Sequence, residues 1–152
     1  MISIPTDAVV RHDPVVLLVG ASRDERQMSA LYLRLHQFRV VEIDNTADAL
    51  ALAPTSDVVV TDVRVPGPFD SVELVRRLRA DDRTRCTPII MMTGYACPED
   101  YQRAHTARCD ICLAKPCLPD MLLAAIRHVL AAWLGVGSPP PRDGGARKRR
   151  IA

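Results

Sequence analysis

Three polar residues close three separate apolar runs in this 152-residue chain. Asp62 ends the run that begins at Asp57, Thr93 ends Pro88-Ile89-Ile90-Met91-Met92, and Lys115 follows the run Cys109 to Ala114. Val58-Val59-Val60 reads as a strand buried on both faces. A carboxylate at the end of such a strand is costly unless water, a cation or a partner receives it. Pro66 and Gly67 then turn the chain away. Brought together, these groups make a phosphoryl-transfer site. The Asp62 carboxylate is the nucleophile, and the Thr93 hydroxyl and Lys115 ammonium bind phosphoryl oxygens and stabilise charge. The competing account is that polar residues routinely end strands, and spacing alone leaves it open.

Convergence of the three ends requires a parallel sheet. Val15 to Val19 is a short buried strand, followed by a turn at Gly20-Ala21-Ser22. Ser22 suits a helix N-cap with Glu25 three residues on. Met28, Leu31, Tyr32 and Leu35 recur at helical spacing. Arg39 to Ile43 is the second strand. Asn45 or Thr46 caps a short helix that stops before Pro54. Asp57 to Asp62 is the third strand, and Ser71 opens a helix carrying Val72, Val75 and Leu78. Pro88 to Thr93 is the fourth strand. Pro98, with Glu99 and Asp100, suits a helix start, and that helix runs to about Ala107. Cys109 to Ala114 is the fifth strand. Leu122, Ala125, Ile126, Val129, Leu130 and Trp133 form one apolar stripe on a last helix, ended by Gly135 and Gly137. Five strands alternating with helices predict an α/β fold with a doubly wound five-stranded parallel sheet. Such sheets place sites at the carboxyl ends of their strands.

Composition sets bounds. The chain is 48% apolar and 25% charged, which suits one globular domain. The net charge of +2 divides unevenly. Residues 142–152 carry a net of +4 and residues 1–141 a net of −2. The acidic body argues against nucleic-acid binding, and the tail reads as solvated. Residues 1–13 are expected to be a flexible arm, residues 14–135 the folded domain, and residues 136–152 a disordered basic tail. Lys115 is the only lysine of the body; the other, Lys148, lies in the tail. A compact ammonium kept in an arginine-using chain fits a point-charge role. Five cysteines without a leader pattern imply reduced thiols and a cytoplasmic location. No apolar stretch reaches membrane-spanning length.

The chain resembles the receiver domain of bacterial two-component response regulators. The resemblance spans roughly Val15 to Leu134. It rests on Asp57-Val-Val-Val-Thr-Asp62-Val-Arg-Val-Pro66-Gly67, on Thr87-Pro-Ile-Ile-Met-Met-Thr93-Gly94-Tyr95, and on Leu113-Ala114-Lys115-Pro116. It implies a flavodoxin-like fold in which Asp62 accepts a phosphoryl group from a sensor histidine kinase or phosphotransfer protein. Thr93 and Lys115 would bind that group. The Lys115–Pro116 bond is a candidate cis peptide. Output would pass by protein contact through about residues 98–134, and a homodimer is compatible with it. The enzyme content is at most self-phosphorylation and autodephosphorylation at Asp62.

Three departures bear on that reading. The family ends its first strand with two acids that hold magnesium (Mg²⁺), whereas Gly20 and Ala21 stand here without ligand atoms. Asp62, the Arg64 backbone carbonyl and water would remain as ligands, so affinity should fall sharply. Asp24 and Glu25 lie on a helix start expected to point elsewhere. Arg64 is the expected substitute source of positive charge. The family's switch aromatic, three residues before the lysine, is Cys112 here, with Tyr95 as a thin substitute. The loop Pro68-Phe69-Asp70-Ser71 is one residue longer than the common form and has Ser71 where glycine is usual. Two readings therefore compete: a single-domain response regulator phosphorylated at Asp62, and a receiver-like interaction module that works without phosphorylation. Remoter is a flavin- or nucleotide-binding protein of the same sheet type. Cys109-x-x-Cys112 with Cys117 invites zinc, but residues three apart on one strand face opposite ways. Small apolar packing is the expected role of these thiols.

Overall fold

A computed structural model describes residues 13–94 and 98–134, the side chains of Tyr101, Trp133 and Leu134 excepted. The elements in chain order are β1 (Val15–Val19), α1 (Arg23–Leu35), β2 (Arg39–Ile43), α2 (Thr46–Leu52), β3 (Val58–Asp62), α3 (Ser71–Ala80), β4 (Ile89–Thr93), α4 (Pro98–Thr106), β5 (Ile111–Ala114) and α5 (Pro119–Leu134). A short 3-10 turn, Ala53–Thr55, follows α2. The expected arm (but for Asp13), the expected tail, Tyr95, Cys97 and the Gly135 stop lie outside the described residues.

The strands form one parallel sheet in the order β2-β1-β3-β4-β5. Residues alternate between its faces. Leu17, Val19, Val59, Ile89 and Met91 pack with Leu74, Val75 and Leu78 of α3, Ala49 of α2 and Ala104 of α4. Val16, Leu18, Val58, Val60 and Ile90 pack with Ala30 and Leu33 of α1 and Leu122, Ile126 and Val129 of α5. Central β3 is buried along its whole length, which is why its valines are continuous rather than alternating.

Local signals set the helix starts. Ser22, Asn45 and Asp70 each accept a bond from the backbone N–H three residues on, at Glu25, Asp48 and Glu73. Thr46 therefore begins α2 rather than capping it. Helix α1 buries Ala30 and Leu33, while Met28, Leu31 and Leu35 of the expected stripe are 65%, 62% and 68% exposed. Gly67 is dictated by space and backbone. Its φ is +147°, and a Cβ there would lie 2.2 Å from Thr46 Oγ1. The loop after β3 thus sits directly on the start of α2, where Thr46 Oγ1 donates to the Phe69 carbonyl at 2.6 Å.

The fifth strand begins at Ile111, later than Cys109. Arg108, at φ 64°, turns the chain into it, so Cys109 lies outside the strand's alternation. Both Cys109 and Cys112 consequently pack in the same core cluster rather than on opposite faces. Burial, with the neighbouring Cys112 and Asp110, pushes the Cys109 thiol up to about 12. A thiol held protonated is a packing group and a poor metal ligand.

Candidate functional site

The chain leaves β1 for β2 on one side and later returns through β3 on the other. The carboxyl ends of β1 and β3 therefore border the point where the winding reverses, the place where open α/β sheets carry crevices. Gly20 follows the first of these strands and Asp62 ends the second. A cleft of about 400 Å³ opens there, and its ionisable lining includes Glu25, Arg26, Asp62 and Lys115.

Asp62 is buried, with a relative exposure of 9%. Its Oδ1 lies 3.0 Å from Lys115 Nζ, and no other donor reaches that oxygen among the described residues. Burial raises the Asp62 pKa above the ordinary aspartate value; Lys115 opposes this and the Glu25 charge adds to it. Lys115 Nζ also donates to Glu25 Oε2 at 2.9 Å. Burial disfavours the ammonium, yet the two carboxylates outweigh it and raise the Lys115 pKa. Lys115 precedes a cis proline, Pro116.

Glu25 does not point away from the site, as its place at a helix start suggested. It caps the outer side of the Lys115 ammonium. The phase of α1 explains this. With Ala30 and Leu33 docked on the sheet, the first turn overhangs the ends of β1 and β3. Arg26 stands four residues before Ala30 and seven before Leu33, so the same stripe carries it inward. Its side chain is 12% exposed, and its Nη1 donates to the Gly20 carbonyl at 2.6 Å. Sequence reasoning missed Arg26; the signal was the 26–30–33 spacing.

Two expected site residues are placed differently. Thr93 does not line the cleft. Strand alternation puts it with Met91, on the face opposite Asp62 and Lys115. Its buried Oγ1 donates to the Leu113 carbonyl at 3.4 Å and interacts with the Cys112 thiol. The Arg64 guanidinium also turns away from the cleft. Its Nε and Nη2 bond Asp100 at 2.7 and 3.2 Å, tying the loop after β3 to α4. Asp100 is almost fully buried, so this contact neutralises a carboxylate that would otherwise be costly.

The magnesium expected from the resemblance does not fit this donor set. Gly20 and Ala21 present no side-chain oxygen. The two nearby carboxylates, Asp62 and Glu25, share the Lys115 ammonium between them. A Cβ on Gly20 would stand 3.0 Å from Asp62 Oδ2, so position 20 abuts the carboxylate itself. Among the described residues no three His, Cys, Asp or Glu side chains cluster to hold a metal ion. A small hard cation needs several oxygens in near-octahedral array, and the cleft answers with one buried carboxylate already paired.

Comparison with known proteins places the chain. The family model for the response regulator receiver domain matches residues 16–127. The phosphate regulon transcriptional regulatory protein PhoB of Pseudomonas aeruginosa is 30% identical over 117 residues, covering 76% of this chain and 51% of that protein. A cyclic di-GMP phosphodiesterase of Thermotoga maritima is 30% identical over 115 residues, covering 76% of this chain and 30% of that protein. The chain thus spans about half the length, or less, of these curated relatives. Among solved structures, the chemotaxis response regulator CheY4 of Vibrio cholerae superposes with a TM-score of 0.69 at 30% identity, covering 76% of this chain and 98% of that one. The receiver domain of the Pseudomonas aeruginosa sensor histidine kinase PA1611, solved with magnesium in its active-site cleft, gives 0.68 at 27% identity, covering 80% and 98%.

Proposed function

This chain belongs to the family of response regulator receiver domains, and on that premise we propose that Asp62 accepts a phosphoryl group and passes the signal on by protein contact. The observation that carries the proposal is the Asp62–Lys115 pair. A carboxylate with one oxygen otherwise unbonded among the described residues lies in an open cleft, 3.0 Å from a lysine ammonium. In the reaction an Asp62 oxygen attacks phosphorus, the bond from phosphorus to the donor atom breaks, and the donor leaves with that electron pair. With phosphohistidine the leaving group is the imidazole; with acetyl phosphate it is acetate. Lys115 meets the charge that gathers on the phosphoryl oxygens. Thr93 joins only if its side chain turns across the end of β4.

The donor is a histidine kinase or phosphotransfer protein, and it must reach the cleft mouth. Met28 lines the cleft and is exposed, with Leu31 and Leu35 continuing the apolar stripe along α1. We assign the donor to this face and the downstream target to the region 98–134. Intact mass after incubation with acetyl phosphate tests the central claim. One phosphoryl adduct, absent in Asp62→Asn, is expected. The displaced Thr93 and the missing acids favour a second reading, a module that works unphosphorylated; absence of adduct from both acetyl phosphate and a kinase would establish it.

A further inference from the structure

We propose that the cleft takes its phosphoryl group without a divalent cation, with the Arg26 guanidinium supplying beside Lys115 the positive charge a metal would bring. This rests on the reading of Asp62 as acceptor and names the regulation of that same site. Arg26 lines the cleft and is held in place there. Nη1 is fixed to the Gly20 carbonyl at 2.6 Å. Nε is buried, has no hydrogen bond among the described residues, and lies 3.6 Å from Glu42 Oε1. Gly20 is in turn the residue against Asp62 Oδ2. The guanidinium and the nucleophile therefore flank one glycine at the end of β1. A guanidinium is always charged and presents a planar fork of donors that matches phosphate oxygens.

Charge balance agrees. Among the described residues, the Arg, Lys, Asp and Glu side chains lining the cleft are two cations, Arg26 and Lys115, and two anions, Asp62 and Glu25. Glu42, behind Arg26, is 3.6 Å from its Nε and lies outside this lining. Phosphorylation replaces the single charge of Asp62 with the roughly two charges of a phosphoryl group. Lys115 meets that dianion at Asp62 itself, 3.0 Å from Oδ1, and Arg26 lines the same cleft from the other side of Gly20. The substitution of Gly20 and Ala21 for acids removes the negative charge that would require a dication. Arg64, bound to Asp100, is not the source of this charge.

The test uses the full chain and two readouts. Inorganic phosphate is titrated in EDTA while the amide signals of Gly20 and Lys115 are followed by NMR. Acetyl phosphate labelling is followed by intact mass, in EDTA and in magnesium. Phosphate binding in EDTA is expected, weakened about tenfold in Arg26→Gln and kept within about threefold in Arg26→Lys. A guanidinium that merely supported the Gly20 carbonyl would leave phosphate affinity unchanged in both variants. Labelling at equal rate with and without magnesium is expected. Phosphate binding or labelling that appears only with magnesium overturns the inference while Asp62 remains the acceptor. Phosphate binding in EDTA that depends on Arg26, without any covalent adduct, keeps Arg26 as an anion-binding group but overturns metal-free phosphoryl transfer together with the acceptor reading. If Arg26→Gln does not fold, Arg26→Lys and the metal dependence of the unaltered chain decide.

Discussion

Lys115 Nζ stands between two carboxylates, 3.0 Å from Asp62 Oδ1 and 2.9 Å from Glu25 Oε2. The ammonium closes the cleft with an internal counter-ion, and its partners come from β3 and α1. The two partners differ in environment. Asp62 is buried and Glu25 is largely solvated, so the inner contact carries more energy than the outer one.

Glu25 competes for the ammonium and adds negative charge where a phosphoryl dianion must arrive. Glu25→Gln is expected to speed acetyl phosphate labelling of Asp62 about threefold at low salt, the scale of one solvated ion pair. The gain should fade near ~1 M salt, where such charges are screened. Labelling rates measured at two ionic strengths check this; a slower rate would show that Glu25 positions Lys115 productively.

Asp62→Asn is expected to raise thermal stability at neutral pH. The folded-state pKa of Asp62 is raised, so its ionised form opposes folding. That cost is present above the raised pKa and disappears as pH falls through it toward the unfolded value. The stability gap between Asp62→Asn and the unaltered chain should therefore narrow in acid. Melting curves from neutral to acidic pH check the sign, and a gap that widened in acid would contradict it.

Lys115→Met leaves Asp62 buried without its cation. The loss at neutral pH should be about 2 kcal/mol. In the Asp62→Asn background the same substitution should cost about 0.5 kcal/mol or less, because the partner charge is gone. Denaturant unfolding of the four proteins measures the coupling; equal losses in both backgrounds would place the main role of Lys115 elsewhere.

Leu33→Ala should cost about 2–4 kcal/mol, since Leu33 is fully buried between α1 and the sheet. Leu31→Ala, on the exposed stripe, should stay within about 0.5 kcal/mol. Denaturant midpoints compare them, and a large loss in Leu31→Ala would mean that the α1 face is covered.

Gly67→Ala should lose at least about 2 kcal/mol. The backbone at φ +147° disfavours any side chain, and the added methyl meets Thr46. Because that loop follows Asp62, labelling should slow as well, and unfolding curves with labelling rates test both parts.

Much of the site was written in local order. Valine runs ending in Asp62, the alternation of strands with capped helices, and Lys115 before a proline are properties of neighbouring residues. They sufficed for the five-stranded parallel sheet and for the meeting of Asp62 with Lys115, because parallel strands bring their carboxyl ends to one edge. Which face each end residue takes was not local. Thr93 and Asp62 sit on neighbouring strands in a register that pairs Asp62 with Met92, so Thr93 falls on the far face. The phase of α1 was equally non-local. Met28, Leu31 and Leu35 form the more apolar stripe, yet close packing against β1 selects small Ala30 and Leu33. That choice turns Arg26 and Glu25 into the cleft. Arg64 had several carboxylates within reach by sequence alone, and the buried Asp100, brought near by the chain's return through α4, has the greater need of a cation. Strands and their end residues follow from short-range pattern. The charge that surrounds Asp62 follows from packing between elements far apart in the chain.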